Sequence, residues 1–175
     1  MGLALVVVSL LFYPGAQAAG AEPAVRVEVG SATRAPGARA FIPVSLKLSG
    51  EPDVRRAVVT VSFPRLDVSF EKAMLGARAD AAGAELKVQE LKGDPTRAAV
   101  VITVAAHRRL LEGVLVTLEL SISPRAKEGA TVTLQNESSL FGSNDQRIPS
   151  VEGPAGKIIV SSVPPPVIAC FFYMH

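Results

Sequence analysis

The residue within the body of this chain best placed to act as an acid or base is His107, in the run Ala105-Ala106-His107-Arg108-Arg109. A catalytic imidazole needs a nucleophile or a carboxylate within hydrogen-bond reach. No Gly-x-Ser-x-Gly elbow is present to supply a serine. His107 therefore reads as a turn residue at a strand end. Paired carboxylates offer a second chemistry, because glycoside hydrolysis uses two acids facing each other across a cleft. Asp67 with Glu71 and Asp94 with Glu90 are the available pairs, and acids at strand ends and turns are ordinarily just solvated. A third is cation binding by Gly142-Ser143-Asn144-Asp145-Gln146. Calcium takes six to eight oxygens, more than Asn144 and Asp145 supply, so this segment reads as a polar turn. Asn136-Glu137-Ser138 matches a glycosylation sequon. Arg55-Arg56 and Arg108-Arg109 are isolated basic pairs that read as solubilising. Cys170, with His107 and His175 alone beside it, cannot complete a Cys/His zinc site. The residue chemistry predicts no catalysis, no metal and no cofactor.

Composition narrows the classes further. The 175 residues suffice for one domain with a real core. A single cysteine rules out an intramolecular disulfide framework. With 18 Lys+Arg against 16 Asp+Glu, the net charge of +2 leaves no electrostatic footprint for nucleic acid.

Two segments stand apart from the rest. Residues 1–18 carry no charged side chain, and an apolar run at 3–13 is followed by Pro14-Gly15 and by Ala16-Gln17-Ala18. That is the form of a secretory signal cleaved after Ala18. The run falls short of the ~20 residues that span a bilayer. At the other end, Val163-Pro164-Pro165-Pro166 is a stiff spacer before the apolar run 167–174, which holds Cys170. This run is again too short to span. It reads either as membrane attachment through Cys170 or as an unstructured appendage.

Between them, roughly 24–160, the hydrophobic period is two. Val25, Val27 and Val29 alternate with Arg26 and Glu28, and Ile42, Val44, Leu46 and Leu48 with Pro43, Ser45 and Lys47. Val59, Val61 and Phe63 alternate with Val58, Thr60 and Ser62, then Leu66, Val68 and Phe70 with Asp67 and Ser69. The longest run sets Val114, Val116, Leu118, Leu120 and Ile122 inward and Leu115, Thr117, Glu119, Ser121 and Ser123 outward. Shorter candidates at 85–90, 98–105, 130–136 and 157–160 bring the number to nine. Alternation of this kind buries one face of each strand. Turn residues at Ala35-Pro36-Gly37, 49–53, 92–95 and 142–145 punctuate the runs. The fold class predicted is all-β, an antiparallel sandwich. Pro43 marks an edge or a bulge, and only residues 71–84 are read as a possible helical turn.

The order of these pieces resembles the cohesin family of secreted bacterial modules. Val25-Arg-Val-Glu-Val-Gly30-Ser-Ala-Thr33, Ala35-Pro36-Gly37 and Phe41-Ile42-Pro43-Val44-Ser45-Leu46 look like that family's first two strands and their turn. Gly113-Val-Leu115-Val-Thr-Leu118-Glu-Leu120-Ser-Ile122, with Pro124-Arg-Ala126 and Gly129 after it, resembles the long central strand and its exit loop. Gly156-Lys157-Ile158-Ile159-Val160 looks like the closing strand. The family's Tyr-Asp-Pro step is Ser62-Phe63-Pro64 here, with Leu66 and Phe70 following, so contacts at that corner differ. The resemblance covers about residues 24–160. It implies a nine-stranded jelly-roll related to carbohydrate-binding modules, and docking of enzyme-borne dockerin modules on a scaffold for polysaccharide breakdown.

The aromatic residues separate two kinds of partner. Polysaccharide platforms stack sugar rings on exposed Trp or Tyr, and the domain's aromatics are Phe41, Phe63, Phe70 and Phe141. Outward Val58, Thr60, Ser62, Val101 and Thr103 mix β-branched apolar and hydroxyl residues, forming a candidate face for a protein unless a loop or the other sheet covers them. The sequence is thus read as a secreted, non-catalytic module of the bacterial exterior or envelope that docks a dockerin-like extracellular protein. A carbohydrate-binding module and an envelope structural protein are the alternatives.

Overall fold

The computed structural model describes residues 25–91 and 93–163. The expected signal at 1–18, its cleavage point after Ala18, and the tail with Cys170 lie outside the described residues.

Strands dominate because β-branched residues recur at every second position. In chain order they are β1 (Val25–Val29), β2 (Ala32–Arg34), β3 (Arg39–Lys47), β4 (Arg56–Pro64), β5 (Val68–Leu75), β6 (Ala84–Leu91), β7 (Arg97–Ala106), β8 (Gly113–Ile122), β9 (Thr131–Phe141), β10 (Arg147–Ile148), β11 (Ser150–Glu152) and β12 (Gly156–Val160). One short helix, α1 (Ala77–Ala81), separates β5 from β6. Two sheets face each other, ordered β11-β1-β3-β8-β5 and β2-β12-β9-β4-β7-β6, with β10 paired to β9. Val27, Ile42, Leu46, Val59, Val61, Phe63, Ile102, Leu118, Leu120, Leu134 and Ile158 fill the space between the sheets and are excluded from solvent. Each such side chain contributes about 1.5–3 kcal/mol of burial. This is the all-β sandwich predicted from the alternation.

Both terminal segments cross between sheets. β1 pairs with β3, and two residues later β2 pairs in parallel with β12 in the opposite sheet. β11 pairs in parallel with β1, and β12 then joins β9. The crossings are tight enough to demand glycine. A Cβ on Gly30 would lie 2.7 Å from Pro43 Cγ, and one on Gly156 would lie 2.6 Å from Val29 Cγ1. Asn136 holds the same corner. It is buried, and its Nδ2 donates across the sandwich to the Val27 carbonyl at 3.0 Å.

Where the structure departs from simple alternation, a bulge or a pairing partner explains it. Leu66 lies in a turn and is 84% exposed, so the strand starts at Val68. Residues 71–75, rich in helix formers, continue that strand because β8 offers them a ladder, and the helix shrinks to α1. In β8, Val116 sits opposite Val44 and Val114 opposite Ser45, which leaves Leu115 as the extra residue of a bulge. The phase flips there: Leu115 turns inward and Val114 outward, the reverse of the expectation. Pro43 lies beside this bulge in an interior strand, rather than at an edge. β9 runs on to Phe141, and β2, β10 and β11 are strands too short for a periodic signal.

Replacing Asn136 with Ala removes the cross-sandwich hydrogen bond and should lower stability by about 1–3 kcal/mol, measured by urea denaturation with an unchanged slope.

Candidate functional site

Four strands, β9-β4-β7-β6, present an outer face in unbroken register. Cross-strand pairing makes rows of it. One row runs Ser139, Val58, Thr103, Lys87 and the next Glu137, Thr60, Val101, Gln89. Gln135, Ser62, Ala99 and Leu91 follow on one side, and Phe141, Arg56, Ala105 and Glu85 close the other. All five residues singled out in the sequence, Val58, Thr60, Ser62, Val101 and Thr103, meet at the centre of this grid. Each is partly exposed, between buried neighbours that point inward. The middle of the face is therefore small-residued, with long polar side chains along β6 and β9 and at Arg56 and Arg97, the latter donating to the Ser62 carbonyl and hydroxyl at 3.2 Å. Alternation within 85–90 and 130–136 was the signal for those flanking residues. Their strands were visible, but their position on the same face depends on pairing.

At one corner the Arg56 guanidinium lies 4.1 Å from the Phe141 ring centroid and pairs with Asp145. Arg56 Nε is buried with no hydrogen-bond partner. This pairing occupies the carboxylate of Asp145, which sits with φ 59° in a turn where Gly142 N–H donates to the Gln146 carbonyl. The Asn144-Asp145 segment is thus a polar turn bonded to its own sheet.

The remaining candidate groups are spread out. His107 is exposed just past β7, and its carbonyl accepts from Arg55. Asp94 accepts from the Thr96 hydroxyl and from the N–H groups of Thr96 and Arg97, and the Thr96 hydroxyl above all holds its carboxyl below the usual range. Asp67 lies in the β4–β5 turn and Glu71 is the bulged residue of β5, while Glu90 sits on the edge strand β6. Among the described residues no three His, Cys, Asp or Glu side chains come together to hold a metal ion. Asn136, the sequon residue, spends its amide on Val27 inside the sandwich. Arg55 pairs with Asp53 at 2.7 Å and Arg56 with Asp145, so both members of the first basic pair are engaged locally, as is Arg109 of the second, with Glu51 at 3.6 Å.

The outer face of the other sheet is built differently. Glu119 is 3% exposed although it points away from the core, because Arg39 at 2.7 Å and Lys72 at 3.2 Å close over it. The Lys72 ammonium, then Arg39, holds its carboxyl below the ordinary value, against the opposing effect of desolvation. Arg26–Glu28 at 2.7 Å and Lys47–Glu112 at 3.2 Å continue this pattern of charges paired within the face. Phe41, Met74 and Val114 are exposed among them. Two bulges, at Leu115 and Glu71, curve this sheet, whereas β4 and β7 pair without a shift. The β9-β4-β7-β6 face is the more regular of the two.

No known family profile and no curated protein sequence matches the chain. Solved structures do. The third cohesin of ScaC in complex with the ScaB dockerin, from Acetivibrio cellulolyticus, superposes with a TM-score of 0.66 at 19% identity, covering 79% of this chain and 99% of that one. The cohesin of a cohesin–dockerin complex from Clostridium thermocellum, Coh-OlpA-Doc918, gives 0.66 at 15% identity over 78% and 99%. A non-cellulosomal cohesin from the hyperthermophilic archaeon Archaeoglobus fulgidus gives 0.64 at 13% identity over 79% and 92%. The fold is the cohesin fold.

Glu119 makes stability pH-dependent in a definite direction. Its folded-state carboxyl titrates below its ordinary value of 4.5. The stabilisation is therefore complete above 4.5 and lost as pH falls through the lower folded value. Glu119→Gln should melt lower than the parent at pH 7, with the gap closing as the pH of the thermal denaturation series is lowered toward 3.

Proposed function

We propose that this chain is a non-catalytic protein-docking module that binds a dockerin-like extracellular protein through the outer face of β9-β4-β7-β6. The observation that carries this reading is the register-regular grid of small side chains centred on Val58, Thr60, Ser62, Val101 and Thr103, on a fold that two of the solved structures above show in dockerin complexes. Small β-branched and hydroxyl side chains let a partner element lie close to the sheet. Glu85, Lys87 and Glu137 at the rim supply charges that set orientation more than affinity. Among the described residues the one aromatic ring on the face, Phe141, is already stacked by Arg56, which favours a protein over a sugar chain as the occupant.

The module works outside the cell or at the envelope of a bacterium, in the setting of polysaccharide breakdown. Residues 1–18 direct export and are removed near Ala18, residues 24–160 form the docking domain, and 161–175 are a proline-rich spacer with a short apolar tail. The apolar runs at both ends and the resemblance of the domain to secreted modules support this arrangement.

Calorimetric titration against a panel of dockerin modules tests the reading. Binding by one of them should weaken at least about tenfold in Thr60→Arg or Val101→Arg. These surface changes should leave stability within about 0.5 kcal/mol. Val114→Arg, on the opposite face, should bind like the parent. Binding of a glycan with no dockerin bound would support a carbohydrate-binding module instead, and an effect confined to Val114→Arg would move the site to the other sheet.

A further inference from the structure

Four strands end the two sheets: β11 and β5 in one, β2 and β6 in the other. An edge strand exposes unpaired N–H and C=O groups, and proteins usually blunt it by shortness, a bulge, proline or charge. β2 and β11 have three residues each, and β5 carries the bulge at Glu71. β6 is different. All eight of its residues, Ala84–Leu91, pair with β7 without a register shift, and none is proline. Its inward side is incompletely covered as well: Leu86 is only half-buried and Val88 is 39% exposed.

We infer that β6 is an interface between two copies of this chain, pairing antiparallel with its counterpart about a two-fold axis at Leu86. The charge pattern chooses the axis. Glu85, Lys87, Gln89 and Leu91 share the outer face, and Leu86, Val88 and Glu90 the inner one. An axis at Glu85 or Lys87 sets a charge against itself, and one at Val88 sets Glu90 against Leu86. With Leu86 on the axis, Glu85 of each copy faces Lys87 of the other, twice over. Directly opposed unlike charges stabilise a ladder and like charges destabilise it. The same register sets Leu86 against Leu86 and Ala84 against Val88 on the inner side, covering the apolar atoms that the second sheet leaves open. The axis stands perpendicular to the sheet, so the outer faces of both copies point the same way. Two small-residue grids then lie side by side on one continuous sheet and present a partner with two sites at once. The pairing stands on the edge strand alone and does not depend on what the grids bind.

Sedimentation analysis of the purified protein from about 1 μM to about 1 mM should show a reversible monomer–dimer equilibrium. Glu85→Lys or Lys87→Glu should each weaken it by about tenfold or more, and the double variant Glu85→Lys/Lys87→Glu should restore it. In a Cys170→Ser background, Leu86→Cys should form an intermolecular disulfide on the axis, and Val88→Cys should not. Circular dichroism melts confirm that each variant is folded. A protein that stays monomeric throughout, or a dimer indifferent to the single reversals or not rescued by the double one, overturns the inference.

Discussion

The amide of Asn136 reaches from one sheet to a backbone carbonyl of the other, at the corner where both ends of the domain change sheets. Both crossings meet there with almost no spare volume, since Gly30 lies against Pro43 and Gly156 against Val29. This corner fixes the distance and angle between the layers. With the layers fixed, the inward half of every strand is committed to the core, and the outward half is left to form two surfaces of very different character.

One of those surfaces satisfies itself. Glu119 is neutralised by Arg39 and Lys72, and its neighbours form further pairs, so a partner arriving there would have to replace interactions already made. On the other surface the central residues have short side chains, of which Ser62 accepts from Arg97, and Glu85, Lys87 and Glu137 lie at its rim. That difference in unspent interaction, rather than apolar area alone, makes the β4–β7 grid the binding candidate.

Much of this was legible in the chain because its clearest signal, period two, is also the one that assigns faces. Val58, Thr60 and Ser62 could be placed outward from β4 alone, and Val101 and Thr103 from β7. What stayed hidden depends on partners distant in sequence. Pro43 signals an edge or a bulge, but nothing local to β8 says that Leu115 turns inward and Val114 outward. The segment 71–75 has the residues of a helix and becomes a strand only because β8 lies alongside. Glu119 reads as an outward residue and Asn136 as part of a sequon, and their burial follows from two cations on neighbouring strands and from a carbonyl 109 positions away.

The parallel pairing of the terminal strands has a mechanical consequence. Val25 lies beside Ser150 at one pole of the sandwich, while Val160 lies beside Arg34 toward the other, and the strands between run side by side. Tension applied between the two ends of the domain would pull these ladders along their length, loading their hydrogen bonds together instead of opening them one at a time. A domain built this way resists stretching in shear, because its terminal ladders would have to break as a unit.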